Sequence, residues 1–394
     1  MTAYAQRLAA LQEALRERQW QGCLVTQNVD LYYYTGSMQN GYLFVPDEGT
    51  VVFYVKRSVE RAQREAACEV RPLGSFRDFG KCLAEEHPQV FQGGGVRLAT
   101  AFDVLPTQLY IRFQKLIPQA EWVDSSRLIR EMRMIKSEEE IDRIRYAAAV
   151  TNRAFHRGLS VLREGMSELE LVLEMERQLR QEGHAGIMRM RGYNQEIITG
   201  MVASGASAAM PTYFDGPAGG QGLHPSVPQG ASREPIRRGE PILIDIGCCI
   251  DGYVIDQTRT AVIGQLKSEQ MTQAYALSEC ILQQTESRLK PGISCESLYQ
   301  DAIDTAKQEG LAGHFMGYGA DQVKFLGHGI GLEIDEFPVL ANGFTYLLQP
   351  GMVIAIEPKF TFPHEGVVGV EDSYAITSDG FERLTETERK LFEV

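Results

Sequence analysis

The stretch PILIDIGCCIDGYVIDQTRTAVIG, residues 241–264, decides the fold of this chain. Two apolar, strand-like runs flank Asp251–Gly252, a dipeptide that favours the positive φ angles of a type I′ hairpin turn. Pairing around that turn sets Asp256 opposite Gly247. Strand side chains alternate between faces, so residues 245 and 247 share one. Asp245 and Asp256 therefore project from the same face as diagonal neighbours, within about 7–8 Å. Two carboxylates aimed into one apolar sheet face repel each other and lose solvation, and a cation between them relieves both penalties.

Ligand types of the same kind recur downstream. GHGIGLEIDEFP (327–338) holds His328 between two glycines, where neighbouring backbone can approach closely. GMVIAIEP (351–358) ends a strand-like run on Glu357, and GVVGVEDSYAI (366–376) carries Glu371 in the next. One histidine with several carboxylates suits Mn(II), Zn(II), Co(II) or Fe(II). One histidine and four carboxylates are enough for two ions and a bridging water.

Upstream and downstream of the hairpin the chain repeats itself. Residues 162–183, LREGMSELELVLEMERQLRQEG, and residues 289–310, LKPGISCESLYQDAIDTAKQEG, align at one constant offset. Gly165, Ser167, Leu171 and Gly183 fall on Gly292, Ser294, Leu298 and Gly310. Each unit reads as a glycine turn, a capped helix and a glycine stop. Two such halves are expected to face each other in pseudo-symmetry with a site between them.

The first third alternates helical and strand-like runs, which points to an α/β domain. A helix is expected near Ala5–Arg18, with Leu8, Leu11 and Leu15 on one face, followed by a strand at Gly22–Thr26. Next come Tyr32–Tyr34, then Tyr42–Val45, Val51–Val55 and Val96–Thr100. Ser137 and Glu140 form an S-x-x-E capping box that starts a helix, with Ile141, Ile144 and Ala148 on one face. The domain boundary is placed at about Asp124–Lys136, giving an N-terminal domain over 1–130 and a catalytic domain over 131–394.

Composition limits the function classes. The chain has 394 residues, ample for a large core, and its 44% hydrophobic and 23% charged content is that of an ordinary globular protein. Lysine and arginine number 39 against 52 acidic residues, a net charge of −13 with no basic block, which disfavours nucleic acid and anionic membranes as partners. Seven scattered cysteines without a C-x-x-C argue against a disulfide framework or a zinc ribbon and favour a reducing, cytoplasmic setting. No signal-peptide pattern opens the chain, and no run approaches the ~20 apolar residues of a membrane span.

The ordered set D-x-G, D-x-T-R-T eleven residues after the first Asp, GHGIG, IEP and V-E-D resembles the prolidase / aminopeptidase P / creatinase family of pita-bread metallohydrolases. MRMIKSEEEIDRIRYAA (132–148) is similar to the opening of that family's catalytic domain, and VTQNVDLYYYTG (25–36) to its creatinase-type N-terminal domain. The resemblance implies an α/β (α+β) fold: a creatinase-like α/β domain followed by a pseudo-two-fold pita-bread domain. It implies five ligands to two divalent ions, most readily manganese: Asp245, Asp256, His328, Glu357 and Glu371. Asp256 and Glu371 would bridge the ions, and Glu357 would also accept the proton of the attacking water. It further implies a homodimer that cleaves short peptides, of Xaa-Pro type, by a metal-bridged hydroxide.

Three positions depart from the family pattern. The second histidine, seven residues after His328, is Asp335; a histidine before Tyr213 is Thr212; an arginine two residues before Glu371 is Gly369. The segment FDGPAGGQGLHPSVPQGA (214–231) is a further departure, a Gly/Pro-rich insert that reads as a loop or lid. His224 within it is a candidate replacement for a missing histidine. The candidate catalytic groups are thus Glu357, Asp335 and His224, and the candidate substrate contacts Thr212, Tyr213 and Glu336. His364 is expected in a turn. The departures leave two alternatives to Xaa-Pro cleavage: a family member acting on a small non-peptide C–N substrate bearing an amine or amidine, and a non-catalytic interaction protein.

Overall fold

The computed structural model describes residues 2–92 and 95–394. The chain divides into two compact units, Met1–Arg133 and Met134–Val394.

The first unit is built on a six-stranded mixed sheet of order β4-β3-β2-β1-β5-β6. Its strands are β1 (Gly22–Val25), β2 (Gly41–Pro46), β3 (Val52–Val55), β4 (Glu69–Pro72), β5 (Val96–Thr100) and β6 (Ala120–Asp124). The opening helix, Ala3–Glu17, buries Leu8, Leu11 and Leu15. Tyr32–Tyr34 belong to a helix, Asn28–Thr35, although their aromatic character suits a strand. The Gln27 side chain accepts from Asp30 N at its start, and Gly36 closes it in the left-handed region at φ 83°. Packed rings of Tyr42, Phe79, Phe113 and Trp122 form the centre of this unit's core.

The second unit consists of two similar halves. In the first, helices Glu138–Val161 and Glu168–Gln181 cover a sheet of β7 (Gly200–Ser204), β8 (Pro241–Ile250), β9 (Tyr253–Val262) and β17 (Phe392–Glu393), in the order β17-β9-β8-β7. In the second, helices Glu269–Ser287 and Cys295–Gln308 cover β11-β10-β12-β15-β16. These strands are β10 (Phe325–Gly329), β11 (Glu336–Ala341), β12 (Val353–Ile356), β15 (Asp372–Ile376) and β16 (Phe381–Arg383). A separate hairpin joins β13 (Lys359–Phe362) to β14 (Gly366–Gly369), with His364 at φ 66° in its turn.

The repeat in the sequence is a repeat in hydrogen bonding. Gly165 N donates to Ile236 O and Ile236 N to Met166 O; Gly292 N donates to Leu348 O and Leu348 N to Ile293 O. His184 N returns to Leu179 O just as Leu311 N returns to Ala306 O. Gly165, Gly183, Gly292 and Gly310 all have positive φ, so the turns that flank each helix require glycine in both copies. Both S-x-x-E starts at Ser137 and Ser167 form complete capping boxes.

Candidate metal centre

The Asp251–Gly252 turn adopts φ of 51° and 90°, and the β8–β9 register sets Gly247 against Asp256 and Asp245 against Thr258. The two aspartates are diagonal neighbours on one face, and both line one cleft. The second half brings its own donors to the same place. His328 is in the middle of β10, between β11 and β12. Its flanking glycines are steric necessities: a Cβ on Gly327 would meet Ala355 O at 2.1 Å, and one on Gly329 would meet Phe337 O at 2.2 Å. Glu357 follows β12 directly, and Glu371 precedes β15.

The seam between the halves is fixed by the D-x-T-R-T segment. Glu371 N donates to Thr258 O at 3.1 Å, and Thr258 Oγ1 donates to Glu371 Oε2 at 2.7 Å. The Arg259 guanidinium is fully buried. It donates to Glu371 O at 2.6 Å, Asp372 Oδ1 at 2.7 Å, Thr387 O at 2.7 Å and Glu388 O at 2.9 Å. Arg259 thus holds the backbone of Glu371 in place without touching its carboxylate.

Within the cluster, His328 Nε2 lies 3.5 Å from Glu357 Oε1, and Nδ1 lies 3.4 Å from Asp335 Oδ1. Asp256, His328 and Glu371 each present a ligand atom within 4.8 Å of the others. Glu371 Oε1 is buried and has no hydrogen-bond partner. A buried carboxylate oxygen left without a donor is costly, and a cation satisfies it. This trio of one neutral nitrogen and two carboxylates is the donor set of a divalent first-row ion, so the residues present fit one such ion.

The other side of the cluster holds a group that the sequence reading passed over. Lys359 Nζ sits 3.1 Å from Asp245 Oδ2, 2.5 Å from Glu357 Oε2 and 3.2 Å from Glu371 Oε2. Crowding and burial set the protonation of the whole group. Burial first, and then Glu371 and Asp245, push the Asp256 carboxyl well above the usual carboxylate range. Burial raises Asp245, Glu357 and Glu371 as well, although Lys359 opposes it in each case. Burial alone would lower His328, but Asp335, Glu357 and Glu371 outweigh it and raise the ring.

The remaining candidate residues are placed as follows. Asp335 lines the cleft beside His328. Glu336 does not: its buried carboxylate accepts from Lys136 Nζ at 3.0 Å and from the backbone of Leu332 and Glu333. Thr212 and Tyr213 line a second cavity, not the one walled by the carboxylates, and Thr212 Oγ1 accepts from Phe214 N. His224 is exposed at the tip of the insert, where its Nδ1 is 2.9 Å from Ser226 Oγ. A four-residue turn closed by the His224–Val227 bridge fixes it there, away from the cleft. The insert reaches the cleft through Phe214, Pro217 and Gln229 instead.

A fold of two facing halves that converge carboxylates and one histidine on a cleft defines a metal-dependent hydrolase. Comparison with known proteins gives the family. The model of metallopeptidase family M24 matches residues 142–378, and that of the creatinase/prolidase N-terminal domain matches residues 7–135. The chain belongs to metallopeptidase family M24. It is 29% identical to an Xaa-Pro dipeptidase of Pyrococcus horikoshii over 370 residues, 93% of each chain. The solved prolidase of Pyrococcus horikoshii superposes with a TM-score of 0.82 at 27% identity, covering 98% of this chain and 99% of the other. An Xaa-Pro dipeptidase from Bacillus anthracis superposes with a TM-score of 0.84 at 26% identity, covering 99% and 100%. No described helix is long and apolar enough to cross a membrane.

Arg259, Thr258 and Lys359 are the residues that sequence reasoning missed. The first two lie inside a quoted motif, and the run of five polar residues Asp256–Thr260 within one strand was the available signal. Lys359 follows directly on the IEP string, but a lysine at a strand start ordinarily reads as exposed.

Proposed function

We propose that this chain is a divalent-metal-dependent peptidase that hydrolyses Xaa-Pro dipeptides. The observation that carries the reading is the trio Asp256, His328 and Glu371, whose ligand atoms converge where Asp256 and His328 line the cleft, with the buried Glu371 Oε1 unpartnered. The names carried by the relatives from Pyrococcus and Bacillus support the choice of substrate. Asp256, His328 and Glu371 would hold the ion, which when bound would supply a Lewis acid for the scissile carbonyl and for the attacking water. Glu357, whose carboxyl burial raises above its ordinary value, would take the proton at Oε1 and pass it to the leaving nitrogen. Met188, Ile197, Phe214 and Ile334 exclude water from the cleft and offer an apolar seat for a proline ring. Asp215 and Asp335 attract the substrate's ammonium group. The reading takes manganese as the first ion to supply and the protein as a homodimer in a reducing compartment, in keeping with seven unpaired cysteines.

A second reading rests on the charge of the wall. The described residues lining the cleft include Asp215, Asp245, Asp256, Asp335 and Glu357 but no lysine or arginine to meet a free carboxylate. That favours a small, cationic, non-peptide C–N substrate. One panel separates the two: chelator-stripped protein resupplied with Mn²⁺ and offered Xaa-Pro dipeptides, Xaa-Ala dipeptides, and small amides bearing an amine or amidine. Metal-dependent turnover confined to Xaa-Pro supports the first reading. Turnover confined to the cationic amides replaces it with the second.

A further inference from the structure

We infer that Lys359 takes the place of one cation in this centre, so that the chain binds one divalent ion where the family resemblance implies two. The inference rests on the metal reading above and makes it more specific.

The Lys359 ammonium is built into the site. The residue opens β13 directly after the Glu357–Pro358 step, and its cross-strand partner on β14 is Gly369. A Cβ at Gly369 would meet Lys359 Cγ at 2.6 Å and Pro358 O at 2.8 Å. A glycine opposite is what leaves room for the lysine stem. The side chain is fully buried, among the largest such side chains of the described residues. A buried ammonium persists only when paired and hydrogen-bonded. Here its acceptors are three of the five expected metal ligands.

Which oxygens it uses decides the count. Nζ contacts Asp245 Oδ2, Glu357 Oε2 and Glu371 Oε2, one oxygen from each carboxylate. An ion bound by those oxygens at about 2.0–2.2 Å would need the volume that Nζ fills. The donors on the other side stay available: Asp256, His328 and the unpartnered Glu371 Oε1. Glu371 would therefore still stand between two cations, one of them tethered to the chain. An ammonium has three N–H donors and no vacant orbital, so it can hold carboxylates and stabilise negative charge but cannot coordinate water. The water-activating work falls to the single ion beside His328.

The test is a count of metal on the full-length protein. Chelator-stripped protein is saturated with Mn²⁺, freed of excess by gel filtration, and analysed for manganese per chain and by electron paramagnetic resonance. The inference requires one ion per chain and the six-line signal of isolated Mn(II). Lys359→Met, similar in length but uncharged, should raise the count from one to two and give an exchange-coupled spectrum, while Lys359→Arg stays at one. Two ions per wild-type chain with a coupled spectrum would overturn the inference and leave the metal reading standing. No ion at all would overturn both. A folded Lys359→Met that still holds one ion would also overturn it. If that variant fails to fold, the wild-type count and spectrum decide alone.

Discussion

The two halves of the second unit share a scaffold and differ in what they place on it. Turn glycines, helix starts and strand-end hydrogen bonds repeat from residues 165–236 to residues 292–348. The side chains facing the cleft do not repeat. The first half offers Asp245 and Asp256 from a long hairpin, and a Gly/Pro-rich insert that walls the cleft. The second offers His328, Glu357 and Glu371, and drives Lys359 into the carboxylates. Backbone symmetry thus brings two edges together, and asymmetric side chains supply the chemistry. The seam is asymmetric too, since one arginine from the first half holds the backbone that precedes β15 in the second.

If the halves communicate through that arginine, breaking it should cost most. Arg259→Met leaves Asp372 short of a buried partner and several carbonyls without donors. The expected loss is about 3 kcal/mol of stability. A fall in the denaturant midpoint, together with weaker metal binding, would be the signature. Unchanged stability would mean that the halves are held by apolar packing alone.

The next effect is on pH. Metal and protons compete for the same carboxylates. Burial holds Asp256 and Glu371 in their protonated forms to higher pH than exposed carboxylates, so binding must displace protons there. Apparent Mn²⁺ affinity should rise with pH above the ordinary carboxylate range, by about tenfold per pH unit for each proton displaced. Calorimetric titrations at several pH values measure this directly. A flat affinity across that window would place the ion on other, ordinary carboxylates.

The smallest effect separates the repeated helices. Ser167 caps its helix with a full capping box, whereas Ser294 makes no side-chain capping hydrogen bond. Ser167→Ala should cost about 1 kcal/mol and Ser294→Ala only a few tenths. Equal shifts in melting temperature would show that the two starts are energetically alike despite their different geometry.

Much of this organisation was legible in the sequence because it is local. A two-residue turn fixes a register, and S-x-x-E boxes fix helix starts. Glycine flanks announce the close approach of β11 and β12 to His328. The illegible parts depend on distant segments. Tyr32–Tyr34 became helical because a side-chain cap at Gln27 and a left-handed stop at Gly36 outweigh aromatic strand preference. His224 looked like a spare ligand, yet a four-residue turn holds it at an exposed tip. Glu336 looked like a substrate contact, yet it is committed to Lys136 and to the loop before it. Lys359 acquires meaning only when carboxylates from residues 245, 357 and 371 converge on it. No pattern within a window of the sequence could announce that.

The central claim is that donors from both halves meet on one divalent ion, with Glu371 essential to it. It is tested most directly by titrating chelator-stripped wild type and Glu371→Ala with Mn²⁺ in a calorimeter. The account predicts saturable binding to the wild type and none to a folded Glu371→Ala. Wild-type affinity and stoichiometry in Glu371→Ala would contradict it.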